Sequence, residues 1–308
     1  MPSLGSVVSK VRPADRPVFS YVTLGDLRHF GNNDGMGQNA GCLGKVYDPF
    51  TVPFARPITG ALDFTGVTTV LGQAEGGRLG QRRALLEQVS RAGPALEATA
   101  GTRDLDDCTR KAYTLLASPA GRDAFDLAKE PEKVRGRYGE TFFGQNCLLA
   151  RRLVEAGVPL VTVYSFGNRD WDTHGANFST LKNTLLPPED QGFSALLGDL
   201  SDRGLLDETL VVWMSEMGRT PRINGGAGRD HWSFCYSVVL AGGGVCGGQM
   251  YGSSDRSAAY PSTNPVGPAD VAATIFHCLG VDPRGLVTDR QGRPFVIGVG
   301  KPIQGLLG

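Results

Sequence analysis

Two of the four histidines fall in polar loops that follow apolar runs, each with carboxylates nearby. Trp171-Asp172-Thr173-His174 lies just beyond the run 158–166, and Asp230-His231-Trp232 follows the run 209–216, which itself ends in Glu216. Imidazole nitrogens and carboxylate oxygens together make the mixed donor set that suits zinc, manganese or iron, whereas calcium prefers oxygen alone. Asp172, His174, Glu216 and His231 are therefore candidate ligands for one divalent transition metal, zinc or manganese. A lone D-x-H on a loop is more often a hydrogen-bonded polar pair; a second carboxylate and a second histidine strengthen the metal reading. Beside them, Arg219 and Arg229, with Arg222, suit forked recognition of an anionic ester and suit a solvated loop face equally well. His29 and His277 read as structural.

Strands and helices must hold these loops in place. The stretch 17–24 (PVFSYVTL) predicts a strand, and 32–44 reads as loop. Helical character runs through 81–157, and within it 141–156 places Phe143, Cys147, Ala150 and Val154 on one face before Gly157. VPLVTVYSF (158–166) predicts a β-branched strand, and 189–203 an amphipathic helix with Phe193, Leu196, Leu197 and Leu200 inward. The runs 209–216 and 235–242 predict strands covered on both faces. A last helix opens at Pro268 and stops at Gly280. Alternating strands and helices give an α/β fold with a parallel or mixed sheet, in a single domain over 1–308. Ligands bind outside the carboxyl ends of such strands. Neighbouring strands lie about 4.8 Å apart. If the 158–166 and 209–216 strands are neighbours, the Asp172/His174 loop and Glu216 close on one metal-sized space. The 217–230 connection is long for such a link, as functional loops tend to be.

Other classes are excluded. The 31 basic and 31 acidic residues cancel, which argues against a nucleic-acid partner or a polybasic membrane surface. Six scattered cysteines show no metal-ligand spacing, so neither a zinc ribbon nor a dense disulfide scaffold is expected. The uncharged stretch 233–254 holds six glycines and four serines, too little apolar density for a membrane span. The first residues lack the basic and apolar regions of a signal peptide. Gly242 to Gly247 spells G-x-G-x-x-G, but no amphipathic helix follows. P-loop, nucleophile-elbow and formylglycine signatures are missing.

The runs LLARRLVEAGVPLVTV (148–163), WDTHGANFSTLKNTLLPPEDQGFSALLGDLSDRGLLDETLVVWMSEMGRTPRIN (171–224), GRDHW (228–232) and AGGGVCGGQMYGSSD (241–255) resemble the bacterial domain of unknown function 1501 family. PSLGSVVSK, GQNAGCLG, YDPF and DRQGRPFVIGVGKPI match it too, so the resemblance spans nearly the whole chain. That family is grouped with the alkaline phosphatase and sulfatase-like hydrolases. The resemblance thus implies a three-layer α/β/α sandwich with a mostly parallel sheet and a metal centre. Carried over, Asp172 and His174 resemble the first metal pair. Glu216 stands at the strand end where related enzymes place an Asp-His pair, and His231 resembles their last histidine ligand. Met217 stands where a further histidine ligand is expected, which puts a second metal in doubt. The superfamily opens with a strand bearing a metal carboxylate and a nucleophile, and family members are commonly exported. Against that pattern the chain is expected to be N-terminally truncated. Two functions follow as expectations. One is a metal-dependent hydrolase-like domain for phosphate, sulfate or other anionic esters, inactive in this form. The other is a non-catalytic binding or structural domain that keeps the fold.

Overall fold

A computed structural model of the chain describes residues 1–25, 37–52, 118–165 and 171–308. His29, Cys108 and the part of the expected helical stretch before residue 118 lie outside the described residues. The fold is mixed α/β. Helix α1 (Leu4–Val11) starts at Ser3, whose hydroxyl accepts the Ser6 N–H. Three short parallel strands form the central sheet: β1 (Tyr21–Leu24), β2 (Phe50–Val52) and β3 (Leu160–Val163), in the order β2–β1–β3. Between β2 and β3 come α2 (Pro119–Phe125), α3 (Glu132–Tyr138) and α4 (Phe142–Glu155).

Strand alternation assigns the two faces of this sheet. Val22, Leu24, Val52 and Val161 pack with Phe143, Cys147, Leu148, Leu149 and Leu153 of α4, and with Leu196 and Leu200 from a later helix. Tyr21 points the other way, under α1, where a side chain on Gly5 would meet its ring at 2.5 Å. Leu160 joins that side, with Val7, Val8 and Phe276. The expected strands at 17–24 and 158–166 therefore contain β1 and β3, and α4 falls within the expected helix 141–156. Thr141 caps α4 through the Gly144 N–H, and Gly157 turns the chain out of it at φ 99°.

The helix expected at 189–203 begins earlier. Helix α5 (Asn177–Thr180), a π turn (Leu181–Leu185) and α6 (Leu186–Asp202) run without a break. Pro187 and Pro188 have no N–H to continue an α ladder, and the Leu186 N–H bonds to the Leu181 carbonyl, five residues back.

Beyond α6 the sheet departs from expectation. Strand β4 (Val211–Trp213) does not pair with β3. It joins β7 (Val239–Ala241) antiparallel, after the short antiparallel pair β5 (Gly218–Arg219) and β6 (His231–Trp232). Two further antiparallel pairs follow, β8 (Ser253–Ser254) with β9 (Pro261–Thr263), and β10 (Leu286–Thr288) with β11 (Pro294–Val296). Among the described residues the parallel strands number three, not most of a large sheet. The runs 209–216 and 235–242 are also not covered on both faces. Trp213 is 40% and Met214 49% exposed, and Val239, opposite Trp213, is exposed as well. An apolar run records hydrophobicity; it says nothing of which strand lies beside it or in which direction. Helix α7 (Pro268–Cys278) is as expected.

One charge is sealed inside. Arg151 of α4 has 0% of its side chain exposed. Its Nη1 donates to Glu155 at 2.7 Å, while Nη2 lies 2.8 Å from Glu130 and Nε 2.9 Å from Asp199 of α6, as ion-pair contacts. Arg203 bonds Asp199 at 2.9 Å, Arg152 pairs with Glu130, and the Tyr138 hydroxyl donates to Asp199 at 2.9 Å. Burial opposes ionisation of Asp199, but hydrogen bonds from Arg203 and Tyr138 and the charge of Arg151 hold its carboxyl below the usual range. Replacing Arg151 with alanine strands buried carboxylates and is expected to cost about 3–5 kcal/mol in denaturant melts. A loss under about 1 kcal/mol would show that the network does not carry the α4–α6 packing.

Candidate metal centre

The centre is assembled from two loops. Residues 171–177 follow β3, and residues 220–230 join β5 to β6. The backbone stitches them together. Ala176 N–H donates to Gly226 O and Asn177 N–H to Ala227 O, both at 2.9 Å, and Arg229 N–H reaches Thr173 O at 3.2 Å. Asn224 acts as the bracket. Its Nδ2 donates to His174 O at 2.9 Å, and its Oδ1 accepts the N–H groups of Gly226 at 3.0 Å and Gly228 at 2.9 Å. Gly228 passes so close that a Cβ would lie 1.9 Å from the His174 carbonyl oxygen. Ala176 (φ 48°) and Ala227 (φ 56°) both take the left-handed conformation here, a strain that alanine accepts only where its surroundings hold it.

These loops bring Asp172, His174 and His231 together, with one ligand atom from each inside a 4.8 Å cluster. Asp172 Oδ1 lies 3.0 Å from His174 Nε2 and 2.8 Å from His231 Nε2. Arg219, paired with His231 in the β5–β6 register, donates from Nη1 to the same oxygen at 2.7 Å and from Nη2 to Trp171 O at 3.0 Å. Burial pushes the Asp172 carboxyl up, but hydrogen bonds from His231 and Arg219, with the charge of Arg219, outweigh it and set its pKa at about 2. It is a carboxylate at any physiological pH.

The donor set fits a metal. A neutral imidazole carries one N–H and one lone pair. His174 sets both ring nitrogens against carboxylates, because its Nδ1 also lies 2.7 Å from Asp230 Oδ1. With the proton on Nδ1, the Nε2 lone pair faces Asp172, and a divalent cation between the two relieves that opposition. Two donors around tetrahedral zinc, at about 2.0–2.1 Å from it, stand roughly 3.3 Å apart. The two separations from Asp172 Oδ1 need to widen by only a few tenths of an ångström. Asp230 supplies the carboxylate behind the ligand that metal-bound histidines characteristically have.

The other expected residues fall differently. Glu216 is exposed and stands outside the cluster. Arg229 laces the hairpin, its Nε donating to Thr220 O at 2.7 Å and its Nη2 to Arg219 O at 3.4 Å. Arg222 is exposed, and His277 sits in α7, outside the cluster. Asp230 and Asn224 escaped sequence reasoning. The place of Asp230 directly before His231 was the available signal, but it does not show which histidine the carboxylate serves.

Asp230→Ala is expected to weaken zinc affinity 10–100-fold without unfolding the protein, read by competition with a chelator. Unchanged affinity would mean that Asp230 does not orient His174.

No curated protein and no solved structure matches the chain. A family model described as "Protein of unknown function (DUF1501)" matches residues 1–307. The match takes in both loops of the centre and the parallel strands that precede it, and the chain belongs to the DUF1501 family.

Proposed function

We propose that this chain is a metal-dependent hydrolase-like domain that takes phosphate, sulfate or another anionic ester at the Asp172/His174/His231 centre. The observation that carries this reading is the meeting of one carboxylate and two imidazoles, from the loop after β3 and the start of β6, within 4.8 Å. Three protein ligands that leave a position for water or substrate are the usual complement of a catalytic zinc. A metal held there supplies Lewis acidity toward an ester oxygen and a more acidic bound water. The protein's own part is to keep Asp172 ionised, to fix the His174 tautomer through Asp230, and to hold the Arg219 guanidinium beside the centre. Arg219 is the cation best placed to face an anionic group; Arg229 supports it through its carbonyl. Packing of α1 and α7 on one side of the parallel strands and of α4 and α6 on the other supports the three-layer, alkaline phosphatase-like arrangement as part of the same proposal.

A non-catalytic binding domain is the second reading, and one observation favours it. Two hydroxyls in the loops around these residues are already engaged. Thr173 donates to Asn177, while Thr220 donates to Arg222 O at 2.8 Å and accepts the Asp230 N–H at 3.0 Å. Neither is poised as a nucleophile.

Metal analysis should find about one divalent ion per purified chain and none in the His174→Ala/His231→Ala double variant. Equal, substoichiometric metal in both would end the proposal. Turnover of aryl phosphate or sulfate esters that disappears in the double variant supports the hydrolase; bound metal without turnover supports the binding domain. Phosphate or sulfate should raise the melting temperature by mass action on the native state. Arg219→Met should abolish that rise and leave metal content unchanged; a rise that survives places the anion elsewhere.

A further inference from the structure

Glu189 is a buried acid that the proposed centre does not use. It lies in the first turn of α6, directly after Pro187 and Pro188, and is 3% exposed. The Ser165 hydroxyl, two residues beyond the end of β3, donates to its Oε1. Ser165 in turn accepts the indole N–H of Trp171 at 2.8 Å. Trp171 is the residue before Asp172, and its carbonyl takes the second contact from Arg219. A continuous hydrogen-bonded chain thus runs from Glu189 through Ser165 to Trp171 and the loop that carries Asp172 and His174. The Trp213 indole of β4 also favours the charged carboxyl, and the Cys147 thiol of α4 feels that charge. Among the described residues no arginine or lysine pairs with Glu189.

We propose that Glu189 is a positioning residue for the Asp172/His174 loop, acting through Ser165 and Trp171, and that its hold on the loop tightens when it ionises. This rests on the metal reading of that loop. A buried carboxylate without a cation has only its hydrogen-bond donors to offset its desolvation, so the charged form draws the Ser165 hydroxyl in more strongly than the neutral acid does. A Ser165 hydroxyl polarised in this way is also the better acceptor for the Trp171 N–H. Burial raises the Glu189 pKa to about 7, against partial relief from Ser165 and Trp213, so the change falls near neutrality. The sign for stability follows. The folded state holds the proton to higher pH than the unfolded chain, whose carboxyl titrates near 4.5. The folded protein therefore loses stability as pH rises from about 4.5 to about 7 and stays at the lower level above that. Glutamine, always neutral, does not pay this penalty.

The experiment is fluorine NMR of the metal-free protein labelled with 5-fluorotryptophan. Its three indoles, Trp171, Trp213 and Trp232, are assigned by single Trp→Phe variants. Between pH 5 and 9 the Trp171 and Trp213 signals should shift with a common midpoint near 7. Glu189→Gln should abolish both shifts, and Ser165→Ala should silence Trp171 while leaving Trp213 titrating. Thermal melts should show Glu189→Gln equal to wild type at pH 5 and more stable at pH 8. Zinc affinity should rise less between pH 6 and 8 in Glu189→Gln than in wild type, because only wild type gains loop support over that range. A Trp171 shift that persists in Glu189→Gln, or a silent Trp171 beside a titrating Trp213, overturns the relay. Zinc that binds with the same pH dependence in both proteins overturns the positioning role. Failure of both proteins to bind zinc, with the indole titration intact, instead defeats the metal reading and removes the role with it.

Discussion

A guanidinium cut off from water is the constraint on which the helical half of the molecule depends. Arg151 can be buried only because Glu130, Glu155 and Asp199 surround it, and those acids come from three separate places: the segment before α3, the end of α4 and the last turn of α6. With Arg152 and Arg203 the group holds three positive and three negative side chains. A neutral cluster of this kind contributes little net stability compared with an apolar core, yet any missing member is costly. Its effect is to fix how α4 and α6 lie against each other. Since α4 covers the parallel strands and α6 carries Glu189, that alignment reaches to the carboxyl end of β3.

From there the proposed centre is reached through the loop after β3 and the β5–β6 hairpin, and loops place ligands well only when their own polar groups are satisfied. The stitching of 171–177 to 224–229 achieves this with backbone pairs and one asparagine, so that two exposed histidines are held by a framework with little freedom left. Left-handed Ala176 and Ala227, and Gly228 pressed against a carbonyl, are the local costs of that rigidity.

How much of this was legible depends on the range of the interaction. The helices α4, α6 and α7 and the strands β1 and β3 declare themselves because burying one face leaves a period in the sequence. Asp172, His174 and His231 stood out as candidates because ligand chemistry admits few residue types and loops beyond strands are where such residues gather. Glu216 looked equally suitable, but its membership depended on β4 lying beside β3, and an apolar run does not encode its neighbour. Arg151 and Arg152 form an ordinary basic pair in sequence; nothing local tells that only the first is fully sealed. Asp230 and Glu189 act through contacts 24 to 56 positions away, which leave no spacing to read.

The π turn at Leu181–Leu185 has a consequence of its own. One extra residue in a helical turn advances the azimuth by roughly 100°. Asn177, which is tied to Ala227 in the β5–β6 loop, and Leu196 and Leu200, which are tied to the core, therefore sit on one rod with two phases. The loop end and the core end can each face what they must without the helix breaking between them. Deleting a single residue from that turn would leave a regular helix that can satisfy the loop or the core, and not both.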